Sequence, residues 1–216
     1  MAHARGFAIL LVQFIQGGPV KIIVRTGPMF ADKTGSAIQD AKNAQYRNER
    51  VLAIRPALDR HSEPFIISRR VINGKPRPDL KFPARIVRTR AEFRGIIRDP
   101  MLSLLVIEEG QFFPHWIVPE LREAQHVRRR DKFKVVVVGL NLDYRLRPYD
   151  PMPAIMAMAD KVKIHTGVCM CCKRRKGRYT QRLQGGAAQN QPGDFGDYEV
   201  RCRVCHYIFG EASPTT

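Results

Sequence analysis

The chain has 216 residues, 44% of them hydrophobic, which suits one domain of ordinary size with a small appendage. No apolar run approaches the roughly 20 residues that a membrane-spanning helix needs, so we expect no membrane partner. Its 37 basic and 20 acidic residues give a net charge of +17, which favours nucleotides, nucleic acid or an RNA-rich assembly as partners. The alternative is a solvated basic surface that only aids solubility.

The first 19 residues contain a short apolar stretch, from Phe7 to Ile15. Basic residues precede it, as in a weak signal sequence, but a glutamine interrupts it and no convincing cleavage site follows. We therefore interpret residues 1–19 as an N-terminal extension, either an extra strand or a segment docked on the domain.

A phosphate-binding loop is predicted after the first strong strand. The β-branched run of residues 20–24 leads to Gly27, and Lys33-Thr34 opens a helix-like stretch, as in Gly-x-x-x-x-Gly-Lys-[Ser/Thr] loops. In such loops backbone N–H groups bind phosphate, the lysine adds a positive charge and the hydroxyl binds Mg²⁺. The alternative is a strand–turn–helix in which Lys33 is an ordinary surface residue.

Asp32 stands where this loop motif has its second glycine. Aspartate adopts the left-handed conformation at modest cost. At an effective dielectric near 20, however, two negative charges ~4 Å apart repel by about 4 kcal/mol. That is around three decades in affinity. We expect Asp32 to weaken nucleotide binding unless it joins the metal shell or pairs with an arginine.

Strands and helices alternate along most of the remaining chain. Strands are predicted at 51–56, 84–88, 103–109, 133–140 and 162–164, and helices at 34–48, 91–98, 116–129 and 151–160. A hairpin is expected around 65–72 and Asn73-Gly74. The alternation predicts an α/β fold, a parallel sheet of P-loop NTPase type with helices on both faces. Ligands of such sheets bind at the carboxyl ends of the strands.

Two carboxylates end the predicted strand at 103–109. Glu108 lies where P-loop proteins hold Mg²⁺ through an acid at a strand end. Glu109, beside it, could accept a proton from a substrate hydroxyl. The alternative is that both are ordinary strand-end acids.

All five cysteines lie after residue 168, which favours metal ligation in a reducing compartment over a disulfide framework. Cys169 and Cys172 form one Cys-x-x-Cys pair, and Cys202 and Cys205 form a second. Two such turns complete a closed four-thiolate zinc site. Cys171 could replace Cys172, although the two-residue spacing favours Cys172. The alternatives for the set are chance reduced cysteines or a redox pair.

Several motifs in order resemble the type II, zinc-containing thymidine kinases. The similar segments are Gly27-Pro28-Met29-Phe30-x-x-Lys33-Thr34, Arg55-Pro56-Ala57-Leu58-Asp59, Glu109-Gly110-Gln111-Phe112-Phe113-Pro114, Gly139-Leu140-x-x-Asp143-Tyr144-x-x-x-Pro148-Tyr149, Tyr179-Thr180-Gln181-Arg182-Leu183 and Tyr198-Glu199-x-Arg201-Cys202-Arg203-x-Cys205-His206. The resemblance extends from about Val20 to about His206.

The resemblance implies an ATP-dependent kinase that phosphorylates the 5′-hydroxyl of thymidine. Glu109 would be the catalytic base, and ATP with Mg²⁺ would be held by Glu108 and the loop residues Gly27, Pro28, Met29, Phe30, Ala31, Asp32, Lys33 and Thr34. The thymine pocket would be formed by Met29, Phe112, Leu140, Tyr144, Tyr149, Thr180 and Tyr198. The zinc would be structural and would pin both ends of a lasso over the nucleoside.

The organisation that follows is an extension at 1–19, an ATP-binding domain at 20–166 and a zinc-ribbon or lasso domain at 167–216. The resemblance also implies a cytoplasmic homotetramer. A second interpretation remains open: a thymidine-kinase fold with weakened catalysis that binds nucleic acid or an RNA-rich assembly through its basic surface. Asp32 and the charge favour this second interpretation, whereas Glu109 and the lasso motif favour an active kinase.

Overall fold

A parallel sheet forms the centre of the molecule. The computed structural model describes residues 20–57, 64–68, 70–72, 75–77, 80–127, 133–186, 188–191, 193 and 195–208. The described residues do not include the expected N-terminal extension, the expected turn at Asn73-Gly74 or the residues after 208. None of the helices in the described part of the chain has both the length and the apolar character needed to cross a bilayer.

The main sheet has seven strands. They are β1 (Lys21–Thr26), β2 (Val51–Pro56), β3 (Phe65–Ile67), β6 (Lys81–Val87), β7 (Leu104–Ile107), β8 (Lys134–Gly139) and β9 (Lys161–Ile164). Their order in the sheet is β3-β6-β2-β7-β8-β1-β9. All neighbouring strands are parallel except β3, which runs antiparallel to β6 at one edge. The predicted α/β class with a parallel sheet is confirmed.

Helices cover both faces of this sheet, as the alternating pattern predicts. They are α1 (Lys33–Tyr46), α2 (Arg90–Arg98), α3 (Ile117–Val127) and α4 (Met152–Met158). Helix α1 presents small apolar side chains at helical spacing, among them Ala37 and Ala41, to a core on one face. The other face has a larger core that includes Phe93 of α2, Leu121 of α3 and Ile155 of α4.

The segment between β2 and β6 differs from the expected hairpin. Phe65–Ile67 joins the edge of the main sheet as β3, whereas β4 (Arg70–Ile72) pairs with β5 (Lys75–Arg77) in a separate hairpin. Strand β6 also begins three residues before the prediction. Pro83 is tolerated there because it pairs with Phe65 of the edge strand and lies outside the β2 register, which starts at Ala84.

Two short pairs of strands, with the turns beside them, complete the C-terminal part. Strand β10 (Gly167–Val168) pairs with β11 (Lys176–Gly177), and β12 (Tyr179–Arg182) pairs with β13 (Tyr198–Arg201). These two hairpins follow the last strand of the main sheet. They carry the two Cys-x-x-Cys turns and the predicted lasso.

A buried carboxylate connects α2 to α3. The side chain of Glu120 has no exposed surface and accepts hydrogen bonds from Arg90 and from Arg94, at 2.5 and 2.8 Å. Burial alone would raise the pKa of Glu120, but the bonds from Arg94 and Arg90 hold that pKa below its ordinary value. The carboxylate is therefore an ionised link between two helices of the larger core.

Replacing Glu120 by glutamine should lower the free energy of unfolding by about 1–3 kcal/mol at neutral pH, since buried hydrogen bonds between charged groups are lost. Because the pKa of Glu120 is lowered on folding, this contribution is present above pH ~4.5 and is lost as the pH falls through the folded-state pKa. Urea titrations between pH 3 and 7 measure it. The control is Glu123→Gln, on the same helix but partly exposed, for which about 0–1 kcal/mol is expected. Equal losses for both variants would contradict the assignment.

Candidate active site

A cavity of about 280 Å³ lies at the carboxyl ends of the central strands. Strand register explains its position, because Thr26 of β1 pairs with Gly139 of β8, and Val137 of β8 pairs with Ile107 of β7. The Thr26 hydroxyl also donates to the Gly139 carbonyl at 3.0 Å. The loops that leave these three strands therefore begin side by side.

The loop after β1 requires a glycine and buries a lysine. Gly27 has φ +130°, and a Cβ there would collide with the carbonyl of His165, so no other residue fits without rearrangement. Lys33 is buried, and its ammonium group donates to the Pro28 carbonyl at 2.5 Å. Burial lowers the pKa of Lys33 to about 8, although the carboxylates of Glu109 and Glu108 oppose that shift. Lys33 is therefore a cation beside two acids and not a surface residue.

Asp32 has the left-handed conformation of the glycine that it replaces, with φ 56° and ψ 33°. Its side chain does not cap helix α1. One carboxylate oxygen instead accepts from the Ser68 hydroxyl at 3.2 Å and occupies the space into which a Cβ on Gly35 would extend. The carboxylate thus turns toward the residues that follow β3, and the acids that act on Lys33 are Glu109 and Glu108.

Thr34 and Glu108 meet at the next position. The Thr34 hydroxyl donates to a Glu108 carboxylate oxygen at 2.6 Å. Glu108 is 8% exposed and leaves β7 beside the loop. A hydroxyl and a carboxylate are hard oxygen ligands, the kind that Mg²⁺ prefers. This pair fits the predicted magnesium position.

Glu109 is fixed by its backbone and by one neighbour. It has φ 52° and ψ 48°, a left-handed conformation that is uncommon for glutamate and is found at functional sites. Gln111 donates to the Glu109 carboxylate at 2.6 Å and accepts from the Leu140 backbone N–H at 3.0 Å. A Cβ on Gly139 would come within 2.7 Å of the Gln111 amide oxygen. Gln111 therefore orients Glu109 through β8.

Aromatic side chains form the opposite end of the cavity. Phe112 and Tyr149 meet edge to face, with ring centroids 5.9 Å apart. Burial, and next the charge of Glu109, raises the pKa of Tyr149, so its hydroxyl stays protonated and donates to Asn190. The Tyr198 hydroxyl donates to the Gln191 carbonyl at 2.7 Å. The charge of Glu109 therefore acts both on Lys33 and on a tyrosine of the aromatic end.

The cavity brings together nearly all the predicted site residues. Its lining includes Glu108 and Glu109. It also includes every residue predicted for the thymine pocket, namely Met29, Phe112, Leu140, Tyr144, Tyr149, Thr180 and Tyr198. Of the loop residues, Phe30, Ala31, Asp32, Lys33 and Thr34 line it, whereas Gly27 and Pro28 do not.

A buried arginine holds the chain between β12 and β13, whose described residues 183–186, 188–191, 193 and 195–197 we call the lasso. Arg182 is 1% exposed, and its guanidinium donates to the carbonyls of Gly186 and Ala188 at 2.7 Å and of Gln189 at 3.2 Å. The same group lies 3.7 Å from the ring centroid of Tyr144. One side chain therefore connects the lasso backbone to an aromatic wall of the cavity.

The lasso domain also contacts the phosphate loop directly. The Met29 backbone N–H donates to the Thr180 hydroxyl at 3.1 Å. Phe30 packs edge to face on Phe195, with centroids 5.9 Å apart. The hydroxyl of Thr180, predicted as a pocket residue, is therefore engaged by the loop.

The four predicted metal ligands converge. The sulfur atoms of Cys169, Cys172, Cys202 and Cys205 lie within 4.8 Å of one another. Tetrahedral zinc with Zn–S bonds of about 2.3 Å needs sulfur–sulfur distances of about 3.8 Å. The Cys172–Cys202 distance is 4.0 Å, so the set is compatible with zinc, and the exposed Cys171 is not part of it.

Some residues of the cavity were not predicted as site residues. Gln111 and Arg182 belong to two of the segments that resemble the thymidine kinases. Nothing in the sequence around either residue, however, indicates the hydrogen bonds that it makes in the fold. Arg55, which leaves β2 and donates to the Phe65 carbonyl at 3.0 Å, lines the phosphate end. Asp143 lines the cavity too and accepts from Gln189 at 3.1 Å. Hydrogen bonds between residues this far apart in sequence can be recognised only when the fold is known.

Comparison with known proteins gives one consistent family. The thymidine kinase family model matches residues 20–206. A thymidine kinase of Mesomycoplasma hyopneumoniae (strain 7448) is 35% identical over 193 residues, which cover 88% of this chain and 96% of the relative. A thymidine kinase of Coprothermobacter proteolyticus is 32% identical over 204 residues, 91% of this chain and 94% of the relative. One from Metamycoplasma arthritidis is 27% identical over 190 residues.

Substituting Arg182 by methionine should loosen the lasso while leaving the sheet intact. Removing the bonds from one charged group costs about 1.5–3 kcal/mol, so amide hydrogens of residues 183–191 should exchange about 10- to 100-fold faster. Hydrogen-exchange mass spectrometry measures this, with exposed Arg178→Met as the matched control. If both variants leave exchange in 183–191 unchanged, Arg182 does not hold the lasso.

Proposed function

This chain belongs to the thymidine kinase family, and on that premise we propose that it transfers the γ-phosphoryl group of ATP to the 5′-hydroxyl of thymidine. The observation that carries the proposal is the position of Glu109. Its carboxylate lines the same cavity as the buried Lys33 ammonium and Tyr149, and its charge raises the pKa of both groups, against the effect of burial at Lys33 and along with it at Tyr149. A base at the junction of a phosphate-binding end and an aromatic end suits transfer from a nucleotide to a nucleoside.

The phosphate end would bind ATP through the loop after β1. Backbone N–H groups at the start of α1 and the charge of Lys33 would hold the phosphates. The lowered pKa of Lys33 still leaves it mostly protonated at pH 7, and a bound phosphate would favour its charged form. Thr34 and Glu108 would hold Mg²⁺, which neutralises phosphate charge when bound.

Glu109 would accept the proton of the 5′-hydroxyl as the oxygen attacks the γ-phosphorus and the bond to the ADP leaving oxygen breaks. Phosphoryl transfer depends mainly on positioning and on stabilising charge. Gln111 holds the carboxylate in one orientation through Leu140, which limits the movement of the base. Gln111 is therefore a positioning residue in this proposal.

The aromatic end would take the thymine ring. Phe112 and Tyr149 offer an edge-to-face corner, while Tyr144, stacked on Arg182, closes the far side. The lasso, held by Arg182, would exclude water from the transferring phosphoryl group. Polar backbone groups of the lasso would pair with the base, as the resemblance implies for Thr180 and its neighbours.

The four-cysteine set would hold a structural zinc ion. Four thiolates leave no open position for substrate, so the metal would stabilise the turns and take no part in transfer. Because these turns flank β12 and β13, the metal would fix the hairpin from which Thr180 and Arg182 project.

The oligomeric state, location and domain limits stay predictions. We infer a homotetramer from the resemblance, and exposed Val162 and Ile164 on the edge strand β9 offer apolar surface for association. Four convergent thiols support a reducing compartment such as the cytoplasm. Domain limits at residues 19 and 166 agree with a sheet that runs from β1 to β9, followed by the zinc turns.

Replacing Glu109 by glutamine should lower kcat for thymidine phosphorylation by about 10²–10⁴-fold, because the base is lost. Affinity for ATP should change little, since the P-loop and Glu108 are intact. Steady-state assays with thymidine, ATP and Mg²⁺ measure kcat, and equilibrium titration with an ATP analogue measures affinity. Glu123→Gln, which removes the same charge from α3, is the control. Turnover by Glu109→Gln at the rate of this control would refute the role of Glu109.

Substituting Asp32 by asparagine should lower the KM for ATP by only about two- to fivefold. Asparagine keeps the left-handed backbone, and the carboxylate already points to Ser68, so only weak repulsion is removed. Asp32→Gly should behave similarly, whereas Asp32→Ala should bind ATP more weakly because alanine disfavours this conformation. A gain near three decades in Asp32→Asn would show instead that Asp32 opposes phosphate at close range.

A further inference from the structure

The two zinc-binding turns carry a concentration of positive charge that the proposed kinase reaction does not use. We define the basic knuckle as six exposed cations: Lys173, Arg174, Arg175, Lys176, Arg178 and Arg203. None of them lines the cavity, and none makes an ion pair within the described part of the chain. No acidic residue occurs between Gly167 and Arg182.

The fold brings these six cations onto one small body. Lys173, Arg174 and Arg175 follow Cys172 directly, and Arg203 lies between Cys202 and Cys205. Because the four thiol sulfurs lie within 4.8 Å of one another, the two Cys-x-x-Cys turns lie side by side. The Cys169 N–H also donates to the Arg175 carbonyl at 2.9 Å, which fixes the first turn.

Neutralising the metal site accounts for only part of this charge. A zinc ion with four thiolates has a net charge of minus two, so it balances two of the six cations and leaves four. The neighbouring strand β13 carries one acid, Glu199. Its carboxylate forms an ion pair with Arg201 of the same strand at 3.0 Å, so it does not balance the six cations. Four unbalanced cations on one rigid turn pair indicate an anionic partner.

We propose that the basic knuckle binds the phosphate backbone of nucleic acid, without reading base sequence. Four of its six cations are arginines, whose planar guanidinium groups bind phosphate oxygens in pairs. Its exposed apolar side chains are two valines, Val168 and Val204, which are too small and too few to anchor a membrane. The +17 charge of the whole chain adds long-range attraction to the same partner.

This surface is separate from the kinase cavity, so the proposal stands whether or not the chain phosphorylates thymidine. The test measures fluorescence anisotropy of labelled 20-nucleotide single-stranded RNA, single-stranded DNA and duplex DNA with the full-length, metal-loaded chain. If about four to six phosphates are contacted, log K should fall with log salt with a slope of about −3 to −4 on single strands. Tight binding to single strands, to duplex or to both supports the proposal and identifies the preferred form.

The decisive variant is Arg174→Glu with Arg175→Glu. Its matched control is Lys42→Glu with Arg122→Glu, which removes the same charge from exposed positions on α1 and α3. The knuckle variant should lose at least about tenfold in affinity at 50 mM salt and reduce the slope by about 1.4, while the control loses less than threefold. Unchanged zinc content and an unchanged circular dichroism spectrum show that the variant is folded.

Three results would overturn the proposal: no binding of any nucleic acid, equal losses in the knuckle variant and the control, or binding only to vesicles of phosphatidylserine and phosphatidylcholine. If the knuckle variant unfolds, Arg203→Glu alone and Arg178→Glu alone replace it. Each should then lose about two- to fivefold in affinity relative to Lys42→Glu, and parity with Lys42→Glu would refute the surface.

Discussion

The parallel register of three central strands is the constraint on which the rest of the site depends. Pairing of Thr26 with Gly139, and of Ile107 with Val137, forces three loops to begin at one edge of the sheet. The hydroxyl of Thr26 fixes that edge by bonding to the Gly139 carbonyl. A shift of register by one residue would turn alternate side chains to the other face, and the cores on both faces oppose such a shift.

Three residues with positive φ shape this edge into a chemical site. Phe30 and Asp32 lie in the loop between β1 and α1, and Glu109 lies between β7 and the helical turn that follows it. Such conformations cost free energy, which the buried sheet beneath them supplies. Gly35 and Gly139 are needed close by, because a Cβ at either position would collide with the side chains of Asp32 or Gln111.

The lasso makes the nucleoside end depend on the phosphate end. Thr180 bonds to the loop through Met29, and Phe195 packs on Phe30. Arg182 connects the same hairpin to Tyr144. One hairpin contacts both ends of the cavity. We therefore expect the zinc turns that flank this hairpin to influence ATP binding and thymidine binding together.

Much of this architecture could be predicted from the sequence, since apolar runs and their spacing indicate buried strands and amphipathic helices. The cysteine spacing likewise predicted the convergent thiols. Extended structure was expected at Phe65–Ile67, but its pairing with the edge of the main sheet could not be predicted, because the partner strand lies beyond a separate hairpin. The direction of the Asp32 carboxylate and the Gln111 bridge were also inaccessible, since both depend on contacts across the fold. The first of these changes the significance of Asp32, which replaces glycine in backbone shape and whose carboxylate accepts a hydrogen bond from Ser68.

The most direct test of the central claim is a single-turnover experiment with ATP labelled at the γ-phosphate, Mg²⁺ and thymidine. The proposed transfer requires label to appear on the 5′-oxygen of thymidine, and to do so much more slowly in Glu109→Gln with ATP still bound. Release of the label as inorganic phosphate, with thymidine unlabelled, would contradict it.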